Sequence, residues 1–142
     1  MFRHHSEKLD VLAAVPLFKG LDKRQLGEVA RLADEVEVGP GKALVREGQL
    51  GREFYMVVNG RVRVEQEGAV IGHLESGEYF GEMALLDGHT RTASVITETD
   101  TSLLVIHFTA FDTLLDTVPG LQKAMLRTLA RRVRDREHAL HH

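Results

Sequence analysis

The 142-residue chain is predicted to fold as a mainly β domain, a barrel or jelly roll of short antiparallel strands with helices at both ends. The hydrophobic period changes from helical to strand-like near residue 36 and returns to helical near residue 109. Glycines bound the short apolar runs between these points, and the length suits one core. We therefore expect a single domain over 1–142, with N-terminal helices (6–35), a β-roll (36–107) and C-terminal helices (109–140).

Two helices are predicted before the strands. Ser6 is a candidate N-cap of the first, and Pro16 ends it. Asp22 and Gln25 stand in capping-box spacing at the start of the second. The apolar positions of the two helices are Leu9, Leu12 and Val15, then Leu26, Val29 and Leu32.

Turn signals divide the middle of the chain into strands. Asn59-Gly60, between FYMVV and RVRVE, predicts a hairpin with a type I′ turn. Glu67-Gly68 is predicted as the next turn. The segment ASVITETDTSLLVIHF contains two further strands separated by a polar bend at residues 98–100.

The last part of the chain is predicted as a short and a long helix. Thr109 and Asp112 are candidate caps of the short one, and Pro119 lies near the first turn of the long one. The long helix has an apolar stripe, and a second apolar set recurs every seven residues. This pattern fits core packing or one half of a parallel helix pair in a homodimer, and both interpretations stay open. The residues concerned are Leu121, Met125, Leu129 and Val133, then Leu126, Val133 and Leu140.

Composition excludes several classes of function. The chain has no cysteine, so it has no disulfide, zinc-thiolate site or thiol nucleophile. The eight histidines show neither His-x-His nor His-Glu-x-x-His spacing, and no nucleophile–base set is apparent, so we expect neither a metal site nor an enzyme. No apolar run approaches the roughly 20 residues that span a bilayer. With no secretory signal at its start, the chain is expected to be cytoplasmic and not membrane-bound.

The segment FGEMALLDGHTRTASV, residues 80–95, carries the candidate binding chemistry. Gly81 allows a tight entry into a helix that begins near Glu82, whose first-turn N–H groups can bind an anion. Arg91 can add a bidentate contact to a phosphate. The Glu82 carboxylate would repel that anion unless it accepts a hydrogen bond elsewhere, as from a ribose hydroxyl. One arginine suits a singly charged ligand, and a cyclic monophosphate has that charge.

This segment resembles the phosphate-binding cassette of cyclic-nucleotide-binding domains. Those domains occur in bacterial regulators of the catabolite activator (Crp/Fnr) type, kinase regulatory subunits and cyclic-nucleotide-gated channels. The resemblance covers roughly residues 10–137 and implies an eight-stranded jelly roll with N-terminal helices and two C-terminal helices. The matching positions are Phe80, Gly81, Glu82, Ala84, Leu85, Leu86, Arg91, Thr92 and Ala93.

The resemblance implies a role for each part of the site. Glu82 would accept the ribose 2′-hydroxyl, and Arg91 would bind the exocyclic phosphate oxygens. Backbone N–H groups of Met83, Ala84 and Ala93 would complete the cradle. Strand positions Val62, Val64, Gly72 and Leu74 would line the sugar and base. The last helix would cover the base, with Arg132 the first candidate to reach it and Arg136 the second.

Ligand and partners follow from the same resemblance. Cyclic AMP is the expected ligand and cyclic GMP the alternative, because the family's threonine at Thr92 can bond guanine. A domain that has lost its ligand and serves in docking is the third possibility. Residues 120–142 carry six basic and two acidic side chains, so +4 on a chain of net −3. This basic helix is interpreted as a solvated face. Direct DNA binding is not expected, since the relatives that bind DNA do so with a further helix-turn-helix.

Overall fold

The computed structural model describes residues 5–15, 18–81 and 90–140, and their side chains except those of 5–7, 128–129, 132–133 and 135–140. Eight strands lie between two pairs of helices. The helices are α1 (His5–Ala13), α2 (Lys23–Leu32), α3 (Phe108–Thr117) and α4 (Leu121–Leu140). The strands are β1 (Asp34–Val38), β2 (Ala43–Val45), β3 (Glu53–Asn59), β4 (Arg61–Gln66), β5 (Ala69–Glu75), β6 (Tyr79–Phe80), β7 (Ser94–Thr97) and β8 (Thr101–His107).

The strands form two four-stranded antiparallel sheets that face each other as a jelly roll. The first sheet has the order β1-β8-β3-β6 and the second the order β2-β7-β4-β5. The longest pairing aligns β3 with β8, from Glu53 opposite His107 to Asn59 opposite Ser102. The predicted fold class is therefore confirmed. The roll starts two residues earlier than predicted, at Asp34, because β1 follows α2 with one residue between them.

Strand β3 separates two apolar cores because alternate side chains of a strand point to opposite faces. Phe54 and Met56 belong to an outer core, in which all four helices pack against the first sheet. Tyr55 and Val57 belong to an inner core between the two sheets. The predicted apolar positions of the N-terminal helices all lie in or against the outer core.

The starts of the helices test the capping residues predicted from the sequence. Asp22 accepts a hydrogen bond from the Gln25 backbone N–H at 2.8 Å, and the Gln25 side chain accepts one from the Asp22 N–H at 2.9 Å. The predicted capping box is thus confirmed. Helix α3 is capped by His107 instead of Thr109 or Asp112, because β8 runs directly into the helix. Ser6 lies inside α1 and is not its N-cap.

The hairpin predicted at Asn59-Gly60 is wrong. Strands β3 and β4 belong to different sheets, so the chain crosses from one sheet to the other at this turn. Only Gly60 has a positive φ there, at 104°, whereas a type I′ turn needs two. Two successive positive φ values occur instead at Glu67 (52°) and Gly68 (81°), between the paired strands β4 and β5.

Replacement of Gly60 by alanine should destabilise the fold for two reasons: the added Cβ would clash with neighbouring backbone atoms, and the positive φ is unfavourable for alanine. A Cβ at residue 60 would lie 2.5 Å from the Asp100 carbonyl oxygen and 2.8 Å from Thr101 Cα. Positive φ costs about 1–2 kcal/mol for a non-glycine residue, and overpacking against backbone adds about 1–3 kcal/mol. Urea unfolding of Gly60→Ala should therefore show a loss of about 3 kcal/mol.

Gly68→Ala is the matched control for this loss. Its φ is also positive, at 81°, but nothing lies within 4 Å of the added Cβ. Its free energy of unfolding should fall only by the cost of the positive φ, about 1–2 kcal/mol. Equal losses in the two variants would show that the close approach at the sheet crossing contributes nothing.

Candidate functional site

Arg91 is held in place by backbone pairing with the loop that precedes β3. Its N–H donates to the Gln49 carbonyl at 2.8 Å, and its carbonyl accepts from the Gly48 N–H at 2.8 Å. Arg91 therefore lies three residues before β7 and outside that strand. This pairing directs its side chain toward the start of β3, where Nη2 donates to the Glu53 carbonyl oxygen at 2.7 Å.

Two glycines leave the space that this guanidinium occupies. A Cβ at Gly51 would overlap Arg91 Nε and would lie 2.6 Å from Cζ. A Cβ at Gly81 would lie 2.5 Å from Arg91 Nη1 and 2.7 Å from the Glu53 carbonyl oxygen. Gly81 also has φ +89°, which favours glycine. We call the space between Gly51, Gly81 and the Glu53 carbonyl the arginine slot.

The electrostatics of the slot favour an anionic ligand. Burial lowers the pKa of Arg91, while Tyr55 and Glu53 act in the opposite direction. A guanidinium nonetheless stays charged in a protein. Its Nε is buried and has no hydrogen-bond partner among the described residues. A guanidinium whose donors are not all satisfied within the protein can bind a carboxylate or phosphate oxygen through its remaining terminal N–H groups.

The rings of Tyr55 and Phe80 stack on each other next to the arginine slot. Their centroids are 4.7 Å apart and their planes 7° from parallel, and Tyr55 Oη donates to the Leu44 carbonyl at 3.3 Å. Burial raises the pKa of Tyr55, Glu53 raises it further and Arg91 lowers it. Because Gly81 follows Phe80, this stack fixes the point at which the chain enters the FGEMALL segment.

The predicted sugar and base wall is brought together by one hairpin. Val62 pairs with Leu74, and Val64 pairs with Gly72, in the register of β4 and β5. Val62, Val64 and Leu74 all contribute to the inner core, so these side chains point between the sheets. The four positions thus form one short apolar patch on the inner face of the second sheet.

The family model described as "Cyclic nucleotide-binding domain" matches residues 35–118, more than half of the chain. The chain belongs to the cyclic-nucleotide-binding domain family. The resemblance drawn from residues 80–95 is thereby confirmed. This family is a regulatory binding domain and not a catalytic one.

Known relatives place such a domain inside larger proteins. A cyclic nucleotide-gated potassium channel of Rhizobium etli is 34% identical over 86% of this chain and 34% of its own length. The cAMP-dependent protein kinase regulatory subunit of Schizosaccharomyces pombe is 32% identical over 80% of this chain and 28% of its own length. Proteins named as cGMP-dependent kinases match as well. The chain thus spans about a third of the channel and of the regulatory subunit, and 14% and 18% of the two cGMP-dependent kinases.

A solved structure shows the same fold at similar identity. The N-terminal domain of a transcriptional regulator from Streptomyces coelicolor superposes with a TM-score of 0.82 and is 32% identical. The match covers 92% of this chain and 94% of that one. The jelly roll with flanking helices is therefore the architecture that the cyclic-nucleotide-binding domain shares with this neighbour.

The far end of the cassette is tied to the β4–β5 hairpin. Gln66 Nε2 donates to the Thr92 carbonyl at 3.0 Å, so the hairpin tip and the cassette are in contact. The Thr92 side chain is exposed and Ala93 is half-buried. Glu82, Met83 and Ala84 lie outside the described residues. Arg132 and Arg136 lie on α4, but their side chains are outside the described part of the chain.

Sequence reasoning missed three residues that surround the candidate arginine. Gly51 and the Glu53 carbonyl define the arginine slot, and Tyr55 supports Phe80. A backbone carbonyl leaves no signature in residue type, so only the topology shows it. Within 5–15, 18–81 and 90–140, no group of three metal-ligating side chains occurs, and no helix is long and apolar enough to cross a membrane.

The titration of Tyr55 should report the charges around the slot. The chain has two tyrosines, so a Tyr79→Phe background leaves Tyr55 as the sole phenol. Its ultraviolet titration should have a midpoint above 10.0. Arg91→Met should raise this midpoint further, because the arginine favours the phenolate. Glu53→Gln should lower it, because the carboxylate disfavours the phenolate.

The two substitutions serve as controls for each other, since they remove opposite charges near one phenol. Near-ultraviolet circular dichroism at each pH verifies that the fold persists. Shifts of the same sign in both variants would contradict the described positions of Arg91 and Glu53 around Tyr55.

Proposed function

We propose that this domain is a cyclic-nucleotide sensor that takes cyclic AMP as its ligand. The observation that carries the proposal is the half-buried Arg91 guanidinium, positioned by two glycines and holding an unused N–H donor. Family membership supports a cyclic nucleotide as the ligand class. The ligand has one negative charge on its phosphodiester, which one guanidinium can balance.

In this proposal Arg91 binds the exocyclic phosphate oxygens. Nη2 stays on the Glu53 carbonyl, which fixes the plane of the guanidinium and leaves other N–H groups for the phosphate. Met83, Ala84 and Ala93 add backbone N–H donors, and Gly81 lets the chain pass close to the ligand. Glu82 accepts the ribose 2′-hydroxyl, so its carboxylate faces a donor instead of the phosphate.

The base is proposed to lie against the apolar patch of Val62, Val64, Gly72 and Leu74, with the last helix as its cover. Arg132 is the first candidate for the contact from that helix and Arg136 the second. Adenine has one amino group, whereas guanine has an amino group, an N1–H donor and a carbonyl, so an apolar wall leaves fewer polar groups of adenine without partners and favours it. Thr92 supports the second candidate, cyclic GMP, because its exposed hydroxyl is free of the core and can reach a base.

The output is proposed to be a new position of helix α4. Leu121 and Met125 bury its first turns in the outer core, whereas Leu126 is 65% exposed. A ligand shifts an equilibrium only through different affinities for two states, so the helix has to contact the ligand in one state. The exposed face would then act on a second copy, as a homodimer, or on an output domain in the cytoplasm.

Loss of the Arg91 side chain should weaken cyclic AMP binding more than tenfold. Removing one partner of a desolvated charged pair costs about 2–5 kcal/mol, and each 1.4 kcal/mol is about tenfold in affinity. Calorimetry of Arg91→Ala with cyclic AMP, cyclic GMP and 5′-AMP measures this effect. Arg31→Ala, an exposed arginine on α2, is the matched control and should bind as the parent does.

Three outcomes would contradict the proposal. Parental affinity in a folded Arg91→Ala domain would place the phosphate elsewhere. No binding of any of the three nucleotides to the parent would identify a domain that has lost its ligand and serves in dimerisation or docking. Tighter binding of cyclic GMP than of cyclic AMP would favour the second candidate.

The role of Glu82 predicts a dependence on the ribose hydroxyl. Glu82→Gln should weaken cyclic AMP but should leave the affinity for 2′-deoxy cyclic AMP nearly unchanged, because the contact is already absent there. Calorimetry of both ligands with both proteins gives a double-mutant cycle. Equal weakening of the two ligands would show that Glu82 does not touch the 2′-hydroxyl.

The proposed movement of α4 predicts a change in amide exchange. Saturating cyclic AMP should change the protection of residues 120–137, while strand β8 should be unaffected because it lies in the middle of its sheet. Hydrogen–deuterium exchange with and without the nucleotide makes the comparison. Identical protection of residues 120–137 in both conditions would refute this signalling mechanism.

A further inference from the structure

A cavity lies between the two sheets, at the edges formed by β1 and β2. Its volume is about 460 Å³, within the roughly 300–1,000 Å³ that small-molecule sites occupy. Among the residues that the structure describes, the lining of this cavity contains neither Arg91 nor any of the four proposed wall positions. Among the described residues, it therefore contains none of the side chains proposed to contact the phosphate or the base, although it shares Glu53 and Tyr55 with the surroundings of the arginine slot. We call it the edge cavity.

The walls of the edge cavity are mainly apolar. Six aliphatic side chains and one aromatic ring line it: Val36, Val38, Ala43, Leu44, Leu103, Val105 and Tyr55. Val36 is 36% exposed, which is unusual for a valine that faces a core, and a ligand in the cavity would cover it. Burial of such surface is the principal driving force for a ligand of matching shape.

The charges around the edge cavity limit the kind of ligand. Glu53 and Lys42 border it with one charge of each sign. Glu37 also lines it, but it lies opposite Ser102 in the register of β1 and β8 and accepts a hydrogen bond from Ser102 Oγ at 3.4 Å, on the outer face of the first sheet. Among the described residues, the lining therefore has no excess charge that would attract an ion. An uncharged molecule has a lower desolvation cost, and an N–H donor on it can bond a carboxylate oxygen. The Tyr55 ring adds an aromatic surface for stacking.

The edge cavity is physically connected to the arginine slot. Glu53 lines the cavity, and its carbonyl accepts the hydrogen bond from Arg91. Tyr55 also lines the cavity, and its ring stacks on Phe80, which precedes Gly81 of the slot. A ligand that moves Glu53 or Tyr55 must therefore change the contacts of the guanidinium.

We propose that the edge cavity binds a small uncharged aromatic molecule with an N–H donor, and that its occupation alters the affinity of the arginine slot for cyclic nucleotide. Reciprocal linkage follows, so the nucleotide alters the affinity of the aromatic ligand by the same factor. The coupling, unlike the site itself, rests on the proposed function.

Indole is the probe that tests the site, in a titration without nucleotide. We expect saturable single-site shifts in amide spectra, and nuclear Overhauser contacts between indole protons and the methyl groups of Leu103 and Val105. Indole-3-acetate should bind at least tenfold more weakly because of its charge. Absence of saturation, contacts only to methyl groups outside the lining of the edge cavity, or equal affinity of the two compounds would overturn the proposal.

A pair of matched variants tests the location independently. Val36→Trp fills the cavity and should weaken indole binding at least tenfold. Val70→Trp places the same side chain at another exposed valine, on β5, and should leave the affinity within twofold. Melting curves verify that both variants fold. Unchanged affinity of a folded Val36→Trp domain would refute the site.

The coupling is tested by cyclic AMP calorimetry with and without saturating indole. We expect at least a threefold change in nucleotide affinity, and an equal change in indole affinity when the order is reversed. Identical affinities would overturn the coupling. The indole titration uses no nucleotide. Its result for the cavity therefore remains valid even if the protein does not bind cyclic AMP.

Discussion

The hydrogen bond from Arg91 Nη2 to the Glu53 carbonyl is the interaction on which the site depends. A guanidinium taken halfway out of water needs acceptors, and this carbonyl supplies one without adding a negative charge that would compete with a ligand. The bond is possible only because residues 51 and 81 are glycines. Local backbone geometry therefore prepares the cation for an anion before any ligand arrives.

Strand β3 links this site to the helices. Its inward residues support the arginine slot through Tyr55, and its outward residues Phe54 and Met56 belong to the core that buries Leu121 and Met125 of α4. A displacement at the slot can thus reach α4 through packed side chains of a single strand. Such a contiguous path is consistent with a binding event that moves the last helix, as proposed here.

Much of the fold could be predicted from the sequence, because it depends on local patterns, and the same patterns identified the arginine of the candidate site. Asp22 and Gln25 form the expected cap, and Arg91 was identified by its spacing from Glu82. The Asn59-Gly60 prediction failed because turn propensity does not show which sheet the next strand joins; contact with Asp100 and Thr101 decides that. The slot and the edge cavity are products of tertiary packing, so no residue pattern shows them.

The central claim is that the guanidinium held in the arginine slot neutralises the phosphodiester of a cyclic nucleotide. A crystal structure of the domain grown with excess cyclic AMP tests it most directly, through the distances between Arg91 nitrogens and the exocyclic phosphate oxygens. The account predicts at least one distance of about 2.7–2.9 Å, the length of a charge-assisted hydrogen bond. A bound nucleotide whose phosphate makes no contact with Arg91, or a slot that stays without nucleotide at saturation, would contradict it.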